Sequence, residues 1–372
     1  MFALADSWVH DISPFLWRIS GDFGIRWYGL AYVAGFIAAW LMLRRMSAKG
    51  LILIPRDAAS DVVLAIIIGT LLGGRIGYVL IYRPSLLMEF TADPPWWGLL
   101  AINKGGMASH GGMVGIVIAC WWSARRLKIP VLHVIDCFCL TGPVGVFFGR
   151  IANFINGELL GRIAFRPGEP GAWWAVKFPQ ELVERRRELE SVMTRQDIGH
   201  LHQLLHRYAL PQELDIRGDG TIDNLAPAAE RIVQQIEAGN TALKAEVAPL
   251  LSARHPSQLY QALAEGIVVL AVLWWIWRKP RRPGVILAWF GIVYGLGRII
   301  TEFWRLPDAQ FIHDGATGRI AGLSRGQWMS ALMVVIGAGL LAWIVRTRRG
   351  TPLGGWATRT ARPPLATPPP AR

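Results

Sequence analysis

Long apolar runs, separated by short stretches rich in Arg and Lys, recur from Trp27 to Val345. About 20 apolar residues cross a bilayer as a helix. Seven runs answer to that pattern, at about 27–43, 62–81, 113–123, 132–148, 257–277, 284–300 and 327–345. The third is short unless the glycines before it also enter the membrane. Arg44, Arg45, Lys49 and Arg56 follow the first run, and Arg125, Arg126 and Lys128 follow the third. Arg278, Lys279, Arg281 and Arg282 follow the fifth, and Arg346, Arg348 and Arg349 the seventh. Positive loops stay on the cytoplasmic side. The four basic segments alternate as that rule requires, so the pattern predicts an extracytoplasmic N-terminus and a cytoplasmic C-terminus.

Between the fourth and fifth runs the apolar pattern lapses over 157–254. The topology puts this polar stretch outside. Its first part, 165–179, carries Gly, Pro and Trp and reads as short strands and turns. The charge-rich stretch 180–207 and a second one at 227–250 read as helices. After Arg349, Pro, Gly, Thr and Arg dominate, a composition that reads as a disordered tail. The expected architecture is an all-α polytopic membrane protein: seven transmembrane helices with a small mixed α/β extracytoplasmic head. Residues 1–156 form an N-terminal arm and spans one to four, 157–254 the head, 255–349 spans five to seven, and 350–372 a cytoplasmic tail.

Composition narrows the class. Of 372 residues, 52% are hydrophobic and 17% charged, where a soluble domain carries about a quarter charged. Eighteen Trp suit the headgroup boundary, where the ring is half wet. A net charge of +13 would point to nucleic acid in a soluble chain. Here no recognition motif accompanies it, and the basic residues lie between apolar runs. The charge is therefore assigned to topology and to anionic membrane lipids, with no nucleic-acid partner. Cys120, Cys137 and Cys139 all fall in apolar runs and read as small buried hydrophobes, not a disulfide framework or metal site. The N-terminus has no basic segment leading into an apolar core, so no cleavable signal is expected and the first span is its own anchor.

Ionisable residues in or beside membrane spans are costly and mark function. Four groups stand out. Arg75 lies in the second run, within GGRIGY. His110 lies in GGMASHGG, at the outer entry to the third. Arg150, Asn153, Asn156 and Glu158 follow one another in GRIANFINGELLGR, at the outer end of the fourth. Arg298 and Glu302 lie in YGLGRIITE, at the outer end of the sixth. Loop charge alone puts the last three groups at one outer face. Arg binds phosphate by paired hydrogen bonds, so the simplest reading is a phosphate-bearing substrate held there.

Each residue also has a local explanation. Arg298 and Glu302 are four apart and can simply pair on one helix. Arg150 can snorkel to headgroups, and His110 can satisfy loop carbonyls. Arg75 can pair with Asp136 as a structural lock. Tyr28 is an ordinary interfacial aromatic by position, and HPSQLY at 255–260 can be only a helix start. The convergence of the groups on one face outweighs any one of them.

The run GRIANFINGELLG at 149–161 closely resembles the signature of the bacterial prolipoprotein diacylglyceryl transferases. RWYGL, GGRIGY, KGGMASHGG, HPSQLYQALAEG and YGLGRIITEFWRLPD resemble that family in the same order along the chain. The resemblance implies a multi-pass enzyme of the bacterial cytoplasmic (inner) membrane. It would move the diacylglyceryl group of phosphatidylglycerol onto the lipobox cysteine thiol of a preprolipoprotein signal peptide. A thioether and glycerol phosphate result, and no metal or soluble cofactor is implied. The family's important positions fall on Tyr28, His110, Arg150, Asn153, Glu158, Gly161, Arg298 and Glu302. Arg150 and Arg298 suit a departing phosphate. His110, Glu158 or Glu302 could take the thiol proton, and Asn153 could bond substrate oxygens. Gly161 permits close backbone approach. The acceptor cysteine belongs to the substrate. The head is long and charge-rich compared with the usual family pattern, and the Pro-rich tail looks like an addition.

Two other classes compete. A transporter for an anionic solute could line its path with Arg75, Arg150 and Arg298, but no internal repeat is evident and the polar groups favour one face. A receptor or scaffold would leave the polar membrane residues unexplained.

Overall fold

The structure, a computed structural model, describes residues 6–20, 23–92, 95–101, 105–210, 225–306 and 319–357. It is mostly helical, with short sheets. Among the described residues, five helices are long and apolar enough to cross a membrane: Trp27–Ala48 (α1), Ala59–Tyr82 (α2), Val131–Ile155 (α4), Ser257–Ile276 and Arg325–Thr347 (α13). Val285–Thr301 (α12) is apolar but shorter. Ser109–Leu127 (α3) covers the third apolar run. It begins four residues before the apolar run does, because the glycines after His110 are helical. The chain is thus a multi-pass membrane protein.

Contacts divide the chain into two units. The first comprises Met1–Val33, Val146–Ile267 and Leu296–Leu332. It contains a four-stranded sheet in the order β1-β5-β6-β4, formed by Trp8–Val9 (β1), Ile163–Phe165 (β4), Val176–Lys177 (β5) and Ala253–Arg254 (β6). Only β1 runs parallel to its neighbour, β5. A separate hairpin of Phe15–Ser20 (β2) and Phe23–Arg26 (β3) leads into α1. The single helix expected over 180–207 is broken into three, Glu181–Glu184 (α5), Arg186–Val192 (α6) and Arg195–Tyr208 (α7). Thr194 and Asp197 close a capping box at the start of α7. Ala226–Glu237 (α8) and Thr241–Val247 (α9) occupy the second helical stretch. Leu201, Leu204 and Leu205 of α7 meet Ile232 and Ile236 of α8 and Leu243 and Val247 of α9 in one buried cluster. That burial is what makes these otherwise polar helices fold.

The second unit comprises Ala34–Gly145, Val268–Gly295 and Met333–Arg372. Its core joins Leu43 and Met46 of α1, Val62 of α2, Cys120 of α3, Cys137 and Leu140 of α4, and Leu273 and Ile276 beyond them. All three cysteines are free and buried, as expected of small hydrophobes. Asp136 does not pair with Arg75. Its carboxylate accepts the backbone N–H groups of Gly284 (2.7 Å) and Leu287 (2.8 Å), at the start of α12, where unpaired donors and the helix dipole favour an anion. Arg75, 4% exposed, donates to the carbonyls of Gly98, Leu99, Gly105 and Gly106 at 2.6–2.9 Å. It is a structural clamp on the loop that leads to α3. Residues 350–357, expected to open a disordered tail, are instead tied to neighbouring chain. Leu353 and Arg281 exchange backbone hydrogen bonds, and Trp356 Nε1 donates to the Trp274 carbonyl at 2.8 Å. The rest of the expected tail, 358–372, and part of the head, 211–224, lie outside the described residues.

Candidate active site

The first unit gathers most of the polar residues singled out above. Where α4 ends, the backbone turns at Gly157 and runs back through 160–162 between two other segments. Arg162 N donates to Trp304 O at 2.9 Å, and His255 N donates to Arg162 O at 3.0 Å. Gly161 lies in this sandwich. A Cβ there would run into the His255 carbonyl and stand 3.0 Å from the Trp304 carbonyl oxygen. Only glycine permits that approach, so the close backbone contact expected at Gly161 is to the protein's own chain. Ser257 and Gln258, both fully buried, extend the tie by donating to the carbonyls of Leu159 (3.1 Å) and Glu158 (2.5 Å). The HPSQ motif is therefore more than a helix start: it fixes the signature turn.

This frame brings together an alternating chain of charges. Glu265 is wholly buried and accepts from Arg150 Nη2 at 3.0 Å and from Arg298 Nη1 at 3.2 Å. Thr301 Oγ1 adds a third bond at 3.1 Å. Arg298 continues to Glu302 at 3.1 Å, and Glu302 to Arg305 at 3.6 Å. Ser324 Oγ also donates to Glu302, at 3.1 Å. The i,i+4 pair of Arg298 and Glu302 thus exists, but as one link among four. Arg150 does not merely snorkel, since a buried carboxylate holds it. The Glu265 carboxylate is wholly closed off, whereas Arg150 and Arg298 remain 18% and 13% exposed, so neither arginine side chain is. Such groups are preorganised to meet an anion with little rearrangement.

Glu158 takes a different part. Its two oxygens accept from the amides of Asn153 and Asn156, both at 3.1 Å, and the Tyr28 hydroxyl faces Asn153 and Glu158. Tyr28 also meets Tyr32, 3.4 Å between hydroxyls. Glu184 lies near Glu158, and burial first, then that neighbouring charge, raises its carboxyl above the usual range. An aromatic run passes beside Gly161: Trp174 stacks on His255 at 5.0 Å, followed by Tyr260 and Trp304. Burial holds the His255 imidazole below its ordinary value.

His110 belongs to the second unit, as the second residue of α3, with its side chain exposed. Sequence reasoning missed Glu265, Thr301 and Arg305. Glu265 had a signal, being the lone carboxylate in the fifth apolar run. It sits in a π-helical turn, Ala262–Val268, between Ser257–Gln261 (α10) and Val269–Ile276 (α11). Such turns recur at functional sites. Arg254, also missed, is fully buried against Glu181, with Glu188 at 3.2 Å, and donates to the Gly161 carbonyl at 3.0 Å.

Fold and site together define a multi-pass membrane protein that carries a buried network of paired arginines and glutamates. The chain matches the family model described as prolipoprotein diacylglyceryl transferase over residues 14–343, and it belongs to that family. It is 42% identical over 358 residues to the phosphatidylglycerol–prolipoprotein diacylglyceryl transferase of Bdellovibrio bacteriovorus, covering 94% of this chain and 97% of that protein. The protein of the same name from Ruegeria pomeroyi is 35% identical, covering 92% of this chain and 97% of its own. That from Neisseria gonorrhoeae is 35% identical over 328 residues, covering 88% of this chain and 94% of its own.

Proposed function

We propose that this chain is an enzyme that transfers the diacylglyceryl group of phosphatidylglycerol to a prolipoprotein, as the names of its relatives say of those proteins. The observation that carries the reading is the bridge from Arg150 through Glu265 to Arg298. Two arginines fixed by one buried carboxylate suit a phosphate ester that becomes more negative as it departs. The acceptor is the thiol of the lipobox cysteine. It loses its proton, and the thiolate attacks the glycerol carbon that bears the phosphate. A C–S bond forms as the C–O bond breaks. The bonding pair leaves with the phosphate oxygen, and glycerol phosphate departs.

The proton goes to His110. Histidine exchanges protons near neutral pH, whereas Glu302 is committed to Arg298 and Arg305, and Glu158 to two asparagine amides. Loop charge supports bringing His110 to the same outer face as Arg150, and supports seven spans, an extracytoplasmic head over 157–254 and a cytoplasmic C-terminus. The membrane is the bacterial inner membrane, and residues 1–156 and 255–349 carry the spans. Asn153 and Tyr28 contact the lipid headgroup. A transporter is not supported.

Purified protein in phosphatidylglycerol vesicles with a lipobox peptide tests the roles. Arg150→Ala should insert normally and lose transfer, and full activity would remove Arg150 from the site. His110→Gln should lose turnover, and appreciable turnover would exclude His110 as an obligatory base.

A further inference from the structure

The α2–α3 hairpin carries an apolar groove that the transfer chemistry leaves unused. The two helices touch backbone to backbone. A Cβ on Gly77 would stand 2.7 Å from Gly111 Cα, and one on Gly115 would run into the Gly69 carbonyl. Small residues thus make the floor. Leu72, Ile76 and Leu80 on one side and Val114 and Ile118 on the other form walls that are about half exposed. The cavity between them is about 900 Å³, at the upper end of small-ligand sites. Its ends differ: His110 and Ile81 stand at one mouth, and Asp61, Trp121, Trp122 and Arg126 at the other.

We infer that the half of this groove nearest His110 seats one acyl chain of the phosphatidylglycerol substrate. The inference rests on the function proposed above. At ~1.5 Å per residue, the stretch of α2 from Ile81 to Ile68 is ~20 Å long. One leaflet is half of a ~30 Å hydrocarbon core, so an outer-leaflet chain entering beside Ile81 ends between Leu72 and Ile68. The walls offer that chain only hydrocarbon, and the backbone floor lets it lie against the helices. Its glycerol end then stays at the mouth that carries His110, the group proposed to deprotonate the attacking thiol. The other half, lined by Asp61 and Arg126, lies at the opposite mouth and takes no part.

Two measurements on the full-length protein in vesicles test this. In the first, phosphatidylglycerol with a photoreactive group in its acyl chain is cross-linked to the wild type and the labelled peptides are mapped. Label is expected on α2 and α3 between Ile68 and Ile81 and around Val114. Excess phosphatidylglycerol should suppress it, and excess phosphatidylethanolamine with the same chains should not. Equal suppression by both lipids, or no label on the hairpin, overturns the inference. In the second, Leu72→Trp shortens the groove. Displacing two chain methylenes from the groove should lower transfer from a long-chain donor about 10-fold relative to a short-chain donor. Val335→Trp, on α13, should leave that ratio unchanged. An unchanged ratio in a correctly inserted Leu72→Trp protein also overturns it. If the wild type transfers nothing from any phosphatidylglycerol, the proposed function itself fails. If it transfers but labels without headgroup preference, only the acyl-chain seat fails.

Discussion

Glu265→Gln is the sharpest perturbation of the site. The native carboxylate is wholly buried and serves Arg150, Arg298 and Thr301 at 3.0–3.2 Å. Glutamine keeps the volume but offers one acceptor oxygen and an NH₂ group that points its hydrogens at guanidinium donors. One charge-assisted bond, worth about 1.5–3 kcal/mol, is lost outright. The two guanidiniums then lose the carboxylate they share, although Arg298 still pairs with Glu302; breaking a buried ion pair from one side costs up to about 3–5 kcal/mol. Their displacement should matter more than the lost stability. A shift of about 1 Å in a positioning group costs roughly 100-fold in rate, or about 2.7 kcal/mol of barrier. Turnover of a lipobox peptide in phosphatidylglycerol vesicles should therefore fall about 100-fold, with a lower unfolding temperature in detergent. Glu265→Asp keeps the charge but is one methylene too short to reach both arginines, and should fall between. An E265Q protein with wild-type kcat and unfolding temperature would refute the bridge as the element that sets the arginines.

Gly161→Ala should abolish turnover, because the added methyl meets the His255 backbone and shifts the signature turn; a fully active variant would show that the turn is not needed. Arg254→Ala leaves Glu181 buried without its partner and should destabilise the protein by about 3–5 kcal/mol, read as thermal unfolding; an unchanged midpoint contradicts this. His10 is buried among Trp8, Phe154 and Phe178, and burial lowers its pKa from 6.5 to about 4. A depressed folded pKa gives stability that is complete above 6.5 and lost as pH falls through about 4. Unfolding temperature should drop across that window, and His10→Phe should flatten the drop; an equal drop in the variant would exclude His10 as its source.

The apolar runs made most of the helices legible, because crossing a bilayer imposes length and hydropathy together. Hydropathy alone starts α3 four residues late, at about 113, because it undervalues Gly111 and Gly112, whose use is close packing. The partners of Arg75 are hidden for a different reason. A guanidinium satisfied by carbonyls needs no acidic residue, so no side chain in the sequence announces it. Asp136 bonds to backbone N–H groups, which are equally silent. In the site, Arg150, Arg298 and Glu302 were visible as charges beside apolar runs, yet what joins them was not. Glu265 belongs to another run, and only the fold puts it between the two arginines. Arg254 stood at the edge of the polar head, where a charge draws no notice until burial makes it costly. The docking of residues 350–357 was hidden because their Pro and Gly content reads as disorder, whereas it suits a short strap held by backbone bonds.

The central claim is that a thiol displaces glycerol phosphate from phosphatidylglycerol at this site. The direct measurement is mass spectrometry of a lipobox peptide after incubation with the wild-type protein in phosphatidylglycerol vesicles, with glycerol phosphate quantified in the same sample. The expected result is a diacylglyceryl thioether on the peptide cysteine and one glycerol phosphate for each adduct. An unmodified peptide in accessible vesicles, or an adduct formed without glycerol phosphate, would contradict it.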